Sequence, residues 1–188
     1  MWRVILMFSL IPLVAAMVAR WWFGLRVLTE NGGRPCKCDL AKWVPVSTGV
    51  EVSQKSEESA YEFGRQLRLR ALEDWQEQDP KAARARASSK RFGMAVPPLS
   101  GVVAIMAVVV AKIPAMGAIS AILAATALSA VLGILSLTPE LAAITRTARR
   151  LREARSFPRS DDEEAVIRCA MAHAWKETLP PILGLLQK

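Results

Sequence analysis

The 188-residue chain holds one histidine, one tyrosine and three cysteines. Each scarcity closes a route. With His173 as the sole imidazole, any Ser-His or Cys-His mechanism would have to run through that one residue. An odd, small number of cysteines does not describe a disulfide scaffold. No Gly-rich phosphate loop, HExxH or GxSxG occurs. The long apolar blocks contain no Asp or Glu, and Lys112 falls at a turn between two of them. The chain by itself therefore lacks the intramembrane ionisable groups of a proton relay or an ion-coupled pump. No repeat with a period of 20–50 residues is found. Nothing in the chain points to an enzyme.

What is present is strongly segregated. The chain is 52% hydrophobic, yet carries 25 Lys+Arg against 17 Asp+Glu, a formal net charge of +8 and a pI near 9.9. In a soluble protein such a balance would suggest nucleic acid. Here the basic residues flank apolar blocks, so anionic lipid headgroups are the expected partner and nucleic acid is not.

Three apolar blocks define the fold class. The first runs from Val4 to Ala19 without a charge. Trp2 stands at one end and Trp21 and Trp22 at the other, roughly 30 Å apart on a straight helix, which matches two interfacial aromatic belts. Arg3 and Arg20 snorkel from the same levels, and Pro12 predicts a kink. A cleaved signal peptide is the rival reading, with Arg3, an apolar core and Val14–Ala15–Ala16 as its three regions. The aromatic anchor from Arg20 to Arg26 argues against it, as does the basic region 29–94, which cleavage would leave outside.

The second block spans Met94 to Ile113 and the third Ala115 to Leu137. Lys112 and Pro114 break what would otherwise be one long apolar stretch, because Pro114 fits the first turn of a helix but not its interior. The two blocks predict a helical hairpin with a tight turn. Thr138 as N-cap and Pro139 as first residue then predict a new helix. Region 29–94 carries twelve Lys and Arg, and the tail 138–188 carries nine. The positive-inside rule places both in the cytoplasm, with the N-terminus and hairpin turn outside. A two-span arrangement, with the first block lying in the interface, ranks second.

The expected architecture is thus an all-α integral membrane protein with three transmembrane helices, one N-terminal span plus a helical hairpin, and cytoplasmic amphipathic helices. Its segments are 1–28 (first span and interfacial anchor), 29–93 (cytoplasmic loop with an amphipathic helix), 94–138 (hairpin) and 139–188 (helical tail). In the loop, Glu57 to Gln78 reads as a helix whose apolar stripe is Ala60, Phe63, Leu67, Ala71 and Trp75, with Ser56 as its cap. Asp79–Pro80 ends it. Residues 29–55 read as an irregular loop. Lys81, Arg84, Arg86, Lys90 and Arg91 then form an acid-free juxtamembrane linker, the expected contact for anionic headgroups. In the tail, Glu140 to Arg155 reads as a basic helix. A final helix is expected from Ser160 to about Thr178, with a Ser160–Glu163 capping box reinforced by Asp161 and Asp162.

Two constellations stand out. Cys36 and Cys38 form a CxC, and Cys169 and His173 lie four apart on the final helix, on one face. Three thiolates and an imidazole are a recognised tetrahedral zinc set, here one that would clamp loop to tail. The plainer alternative is that Cys169 packs as a small hydrophobe and His173 edges the same face. The second constellation is Gly117, Ala121, Ala125, Ser129 and Gly133, small residues every four positions in the third block. Such a stripe lets helix backbones approach closely. The second block, with Ser100, Ala104, Ala107 and Ala111, is the nearest candidate partner, and Ser129 is expected to bond a carbonyl across the contact. Ala richness alone is the competing account.

These features predict a non-enzymatic membrane subunit, acting as scaffold, assembly factor or accessory component, partnered by other membrane subunits or by itself. The alternatives are a small oligomeric channel or transport component and a zinc-dependent membrane regulator. A bacterial cytoplasmic membrane is the expected location.

Overall fold

The computed structural model describes residues 2–39 and 56–177. Its elements are α1 (Trp2–Ala19), a π-helical segment (Arg20–Leu25), α2 (Arg26–Asn31), β1 (Pro35–Lys37), β2 (Glu57–Ser59), α3 (Ala60–Gln78), α4 (Pro80–Val109), α5 (Ala115–Leu135), α6 (Leu137–Glu153) and α7 (Ser160–Lys176). The chain is mostly helical. Three helical runs, Trp2–Asn31, Pro80–Val109 and Ala115–Glu153, are long and apolar enough to cross a membrane.

The described residues separate into two compact units. One holds 2–20 and 85–136, the other 21–39, 56–84 and 137–177.

The first unit is built on α1 against α5. Leu13 and Ala16 of α1 pack with Ala127 and Ala130 of α5, and Met17, Leu123 and Ile134 close around them. At the other end of the contact the Trp2 ring lies on Gly117, where a Cβ would come within 3.1 Å of Trp2 Cε2. The Ser120 hydroxyl bonds both the Trp2 carbonyl (3.1 Å) and its own Met116 carbonyl (2.8 Å). Pro12 sits inside α1 without ending it. Helix α4 ends in a Schellman-type cap, with the Lys112 amide bonded to the Ala107 carbonyl and the Ala111 amide to that of Val108. Ala111 occupies the left-handed position (φ 55°) that glycine usually takes. Pro114, extended, then caps α5 rather than entering its first turn.

The second unit is a three-helix bundle of α3, α6 and α7 with a small β-ribbon. The α3 stripe read from the sequence is its core: Ala60, Phe63, Leu67, Ala71 and Trp75 are all buried. They meet Ile144, Ala148 and Leu151 of α6 and Ala165, Val166, Cys169 and Ala170 of α7. Phe63 and Phe157 pack edge to face, with centroids 6.0 Å apart. Helices α3 and α7 approach most closely at Gly64. A Cβ there would stand 2.6 Å from Cys169 Cβ and 2.8 Å from the Ala170 amide nitrogen.

Several boundaries differ from expectation, each for a local reason. Residues 57–59 are strand rather than helix, because they pair antiparallel with 35–37, Cys36 opposite Glu58. Ser59 therefore caps α3 in place of Ser56, accepting from the Glu62 amide at 3.3 Å. The stretch from Lys81 to Arg91 is not a linker but the first half of α4. Asp79 ends α3 and also caps α4, its carboxylate accepting from the Ala82 amide at 3.0 Å, with Pro80 at the first helical position. Thr138 is not a cap, since α6 begins at Leu137 after a single-residue break at Ser136. Ser160 is already helical. Glu163 therefore reaches Arg152 (2.6 Å) instead of closing a capping box. Most of the loop assigned to 29–55 lies outside the described residues.

Candidate functional site

The cysteines and the histidine belong to the bundle. Cys36 is placed by β1, whose strand runs along α7, and is fully buried. Its sulfur lies 3.7 Å from the Arg34 carbonyl and 3.9 Å from that of Asp162. Cys169 is packed under Gly64, equally buried. Burial pushes the Cys36 thiol up to about 11, assisted by Asp162 and opposed by Arg34. It pushes Cys38 to about 12, with Asp39 adding to the effect. Cys169 rises to about 11, by burial first and the proximity of Cys36 second. Each cause favours the neutral thiol over the thiolate that a metal requires.

His173 is 5% exposed and stands edge-on to the Tyr61 ring, with centroids 4.4 Å apart. Its Nε2 donates to the Tyr61 carbonyl at 3.1 Å, which leaves only Nδ1 as a potential ligand atom. Burial lowers the His173 pKa; the Tyr61 hydrogen bond opposes this, Arg68 and Lys176 add to it, and Glu177 opposes it. The expected four-ligand zinc set of Cys36, Cys38, Cys169 and His173 does not assemble. Among the described residues no group of three or more His, Cys, Asp or Glu side chains is disposed to hold a metal ion. Cys36 and Cys169 share the core as small apolar groups, while Cys38 borders an open surface cavity of about 400 Å³ together with Lys37, Asp39 and Arg155.

A buried ion network, not anticipated from the sequence, ties the bundle together. Arg68 of α3 is 8% exposed. Its Nε donates to Glu140 Oε1 at 2.7 Å, and its Nη1 lies 2.7 Å from Glu177 Oε1. Burial alone would lower the Arg68 pKa, but the carboxylates of Glu177 and Glu140 outweigh it and the net shift is upward. Asp74 accepts from Arg70 (3.1 Å) and Arg150 (3.3 Å). Asp162 holds Arg34 (3.3 Å) and the Lys37 amide (3.4 Å). The available signal was Arg68 itself, a cation at the edge of the α3 apolar stripe, one step from Leu67. These contacts bind elements together and offer no nucleophile–base pair.

In the first unit the small-residue stripe divides. Gly117 and Ser129 are buried, Ala125 and Gly133 are half-buried, and Ala121 is exposed. The helix α5 packs on is α1, not the hairpin partner α4. Ser129 bonds its own Ala125 carbonyl (3.0 Å), so the hydroxyl that crosses a helix contact belongs to Ser120. Of the five cations assigned to headgroups, Lys81, Arg84, Lys90 and Arg91 are exposed. Arg86 instead donates to the Gly133 carbonyl (3.5 Å) and to the Ser136 hydroxyl at the end of α5.

No protein-family model matches the chain, and neither the curated proteins nor the solved structures compared with it provide a match.

Proposed function

We propose that the protein is a non-enzymatic membrane subunit, a scaffold or accessory component. In this reading three spans display the α3–α6–α7 bundle on the cytoplasmic side. The observation that carries this reading is the uneven cover of the spans. In the apolar window of α4 only 11% of the residues are buried, against 33% in the run that begins with α5. Leu99, Val102, Val103, Ile105, Met106 and Val109 of α4 are all exposed. A span that contributes so little to its own fold is available to another membrane helix, from a second subunit or a second copy. The absence of Asp and Glu from 1–20 and 85–136 favours assembly over ion coupling.

The test is photo-crosslinking in intact membranes from Val103, which is exposed, and from Ala104, which is buried. A discrete protein adduct from Val103, absent from Ala104, supports the reading. Adducts with lipid alone from Val103 refute it. Orientation is checked with an impermeant maleimide on intact cells. Ala115→Cys should label and Arg84→Cys should not, against a background of buried native thiols.

A further inference from the structure

We propose that Arg20 and Arg91, with Lys90 beside them, form a site for one anionic phospholipid headgroup at the end of the first unit. The inference rests on the membrane-spanning reading of α1, α4 and α5, and does not depend on the scaffold role.

The geometry that brings these residues to one end is internal to that unit. Met17 of α1 and Ile134 of α5 pack in the same cluster, so Arg20 emerges one turn beyond the last α1–α5 contacts. Arg86 bonds Gly133 and Ser136, which sets the start of α4 at that same end of α5. Lys90 and Arg91 follow one turn later. Lys81 and Arg84 precede Arg91 by about 15 and 10 Å of helix rise, beyond a Debye length of about 8 Å at physiological salt. The headgroup contact expected of all five cations is thereby narrowed, and Arg20 is added to it.

Two further observations point to an anion. No Asp or Glu occurs in 1–20 or 85–136, so the described residues of this unit offer no carboxylate to Arg20 or Arg91. In addition, Arg20 Nε is buried without a hydrogen-bond partner. A guanidinium fork with an unsatisfied donor suits a phosphodiester, which supplies two anionic oxygens in matching geometry. A membrane lipid rather than a soluble phosphate is indicated by the surface around the cations. Val18, Phe92 and Met94 are exposed and apolar, placed to meet acyl chains.

The full chain would be reconstituted into phosphatidylcholine vesicles containing about one quarter phosphatidylglycerol. Lipid retained through mild detergent extraction would then be measured by native mass spectrometry. Phosphatidylglycerol should be enriched above its bulk share. Arg20→Gln and Arg91→Gln should each lower that enrichment about fivefold, the equivalent of one interfacial cation. Arg20→Lys, which keeps charge and fold but loses the fork, should fall between wild type and Arg20→Gln. Lys112→Gln, at the hairpin turn, should leave enrichment unchanged, and excess soluble glycerol phosphate should not displace the lipid. Retention at the bulk share, an equal loss with Lys112→Gln, or displacement by glycerol phosphate would overturn the site. A wild-type chain that fails to float with pure phosphatidylcholine vesicles would overturn the membrane-spanning reading, and this site with it.

Discussion

Replacing Gly64 by alanine sets two effects of opposite sign against each other, and the geometry decides between them. Glycine inside a helix is less favourable than alanine by about 1 kcal/mol, so on propensity alone Gly64→Ala would stabilise α3. The added methyl, however, would stand 2.6 Å from Cys169 Cβ, 2.8 Å from the Ala170 nitrogen and 3.0 Å from the Cys169 carbonyl carbon. Two of those three atoms are α7 backbone, so no rotamer change relieves the contact and the helices must separate. Overpacking of this kind costs about 1–3 kcal/mol. It would be felt by Val166, Cys169 and Ala170, all at 0% exposure. The expected net effect is a loss of about 1–2 kcal/mol, read as a fall in the thermal midpoint of about 3 °C per kcal/mol. Tryptophan fluorescence of the full chain in detergent would follow the transition, since Trp75 is buried in the same bundle. Gly101→Ala is the control, because a Cβ there meets nothing within 4 Å. If Gly64→Ala and Gly101→Ala shift the midpoint alike, the close approach of α3 and α7 is refuted.

The thiols and the imidazole set a pH window. Cys36, Cys38 and Cys169 hold their protons in the folded state up to about 11, 12 and 11, while unfolded thiols release them near 9.0. Stability should therefore be level below pH 9 and fall as pH rises above it. His173, with its pKa lowered from 6.5, removes stability as pH drops below that value. Unfolding midpoints measured at pH 5, 7.5 and 10.5 should peak at the centre, and a flat profile would contradict the burial of these groups. Arg68→Met strands the 2%-exposed Glu140 and should cost about 3–5 kcal/mol in denaturant unfolding, whereas Arg68→Met with Glu140→Leu should recover most of it. In the first unit, Ala130→Leu should disrupt the α1–α5 contact while Ala121→Leu, on an exposed position, should not. Thermal stability in detergent checks the pair, and equal effects would refute the assigned face.

Much of the fold was legible because burial imposes a period. The α3 stripe from Ala60 to Trp75 is spaced at three and four residues, and every member is buried. The three apolar runs could be read from length and composition, and the break near Pro114 from the ring that cannot sit in a helix interior. What failed were caps and pairings. Ser56, Thr138 and Ser160 are all good cap residues, but a cap is fixed by which residue first leaves the helical conformation. At each of these places a tertiary contact moved that point by a few residues. Strand pairing between 35–37 and 57–59 carries no local signature in three-residue segments. The cysteine–histidine set failed for a different reason. Sequence proximity of Cys169 and His173 on one helix face says nothing of what the opposing elements present, and the Tyr61 carbonyl takes the His173 Nε2. Likewise, a cation at the edge of an apolar stripe marks Arg68 as unusual without naming Glu140 and Glu177 as its partners.

The small-residue stripe of α5 shows most clearly where composition and geometry part. A strict four-residue step advances 400° of helix, so successive members drift by about 40° and five of them sweep across nearly half the circumference. One straight neighbour cannot cover such an arc unless the helices cross sharply. The partner that α5 has, α1, touches Gly117, Ser120, Leu123, Ala127, Ala130 and Ile134. Those residues advance by three, three, four, three and four. That mixed step keeps a face aligned along the axis, as extended packing between two helices requires. It includes Leu123 and Ile134, which a search for small residues alone discards. The drift of the four-step stripe is also visible directly. Its first member, Gly117, meets Trp2 of α1, and Ala121 has already turned to the exterior. Its last members point toward α4, where Gly93 lies near the Ser129 carbonyl and Arg86 donates to that of Gly133. The stripe thus serves two neighbours at its two ends and none in its middle, so the periodicity that identifies a packed face in α5 is the mixed three-and-four step.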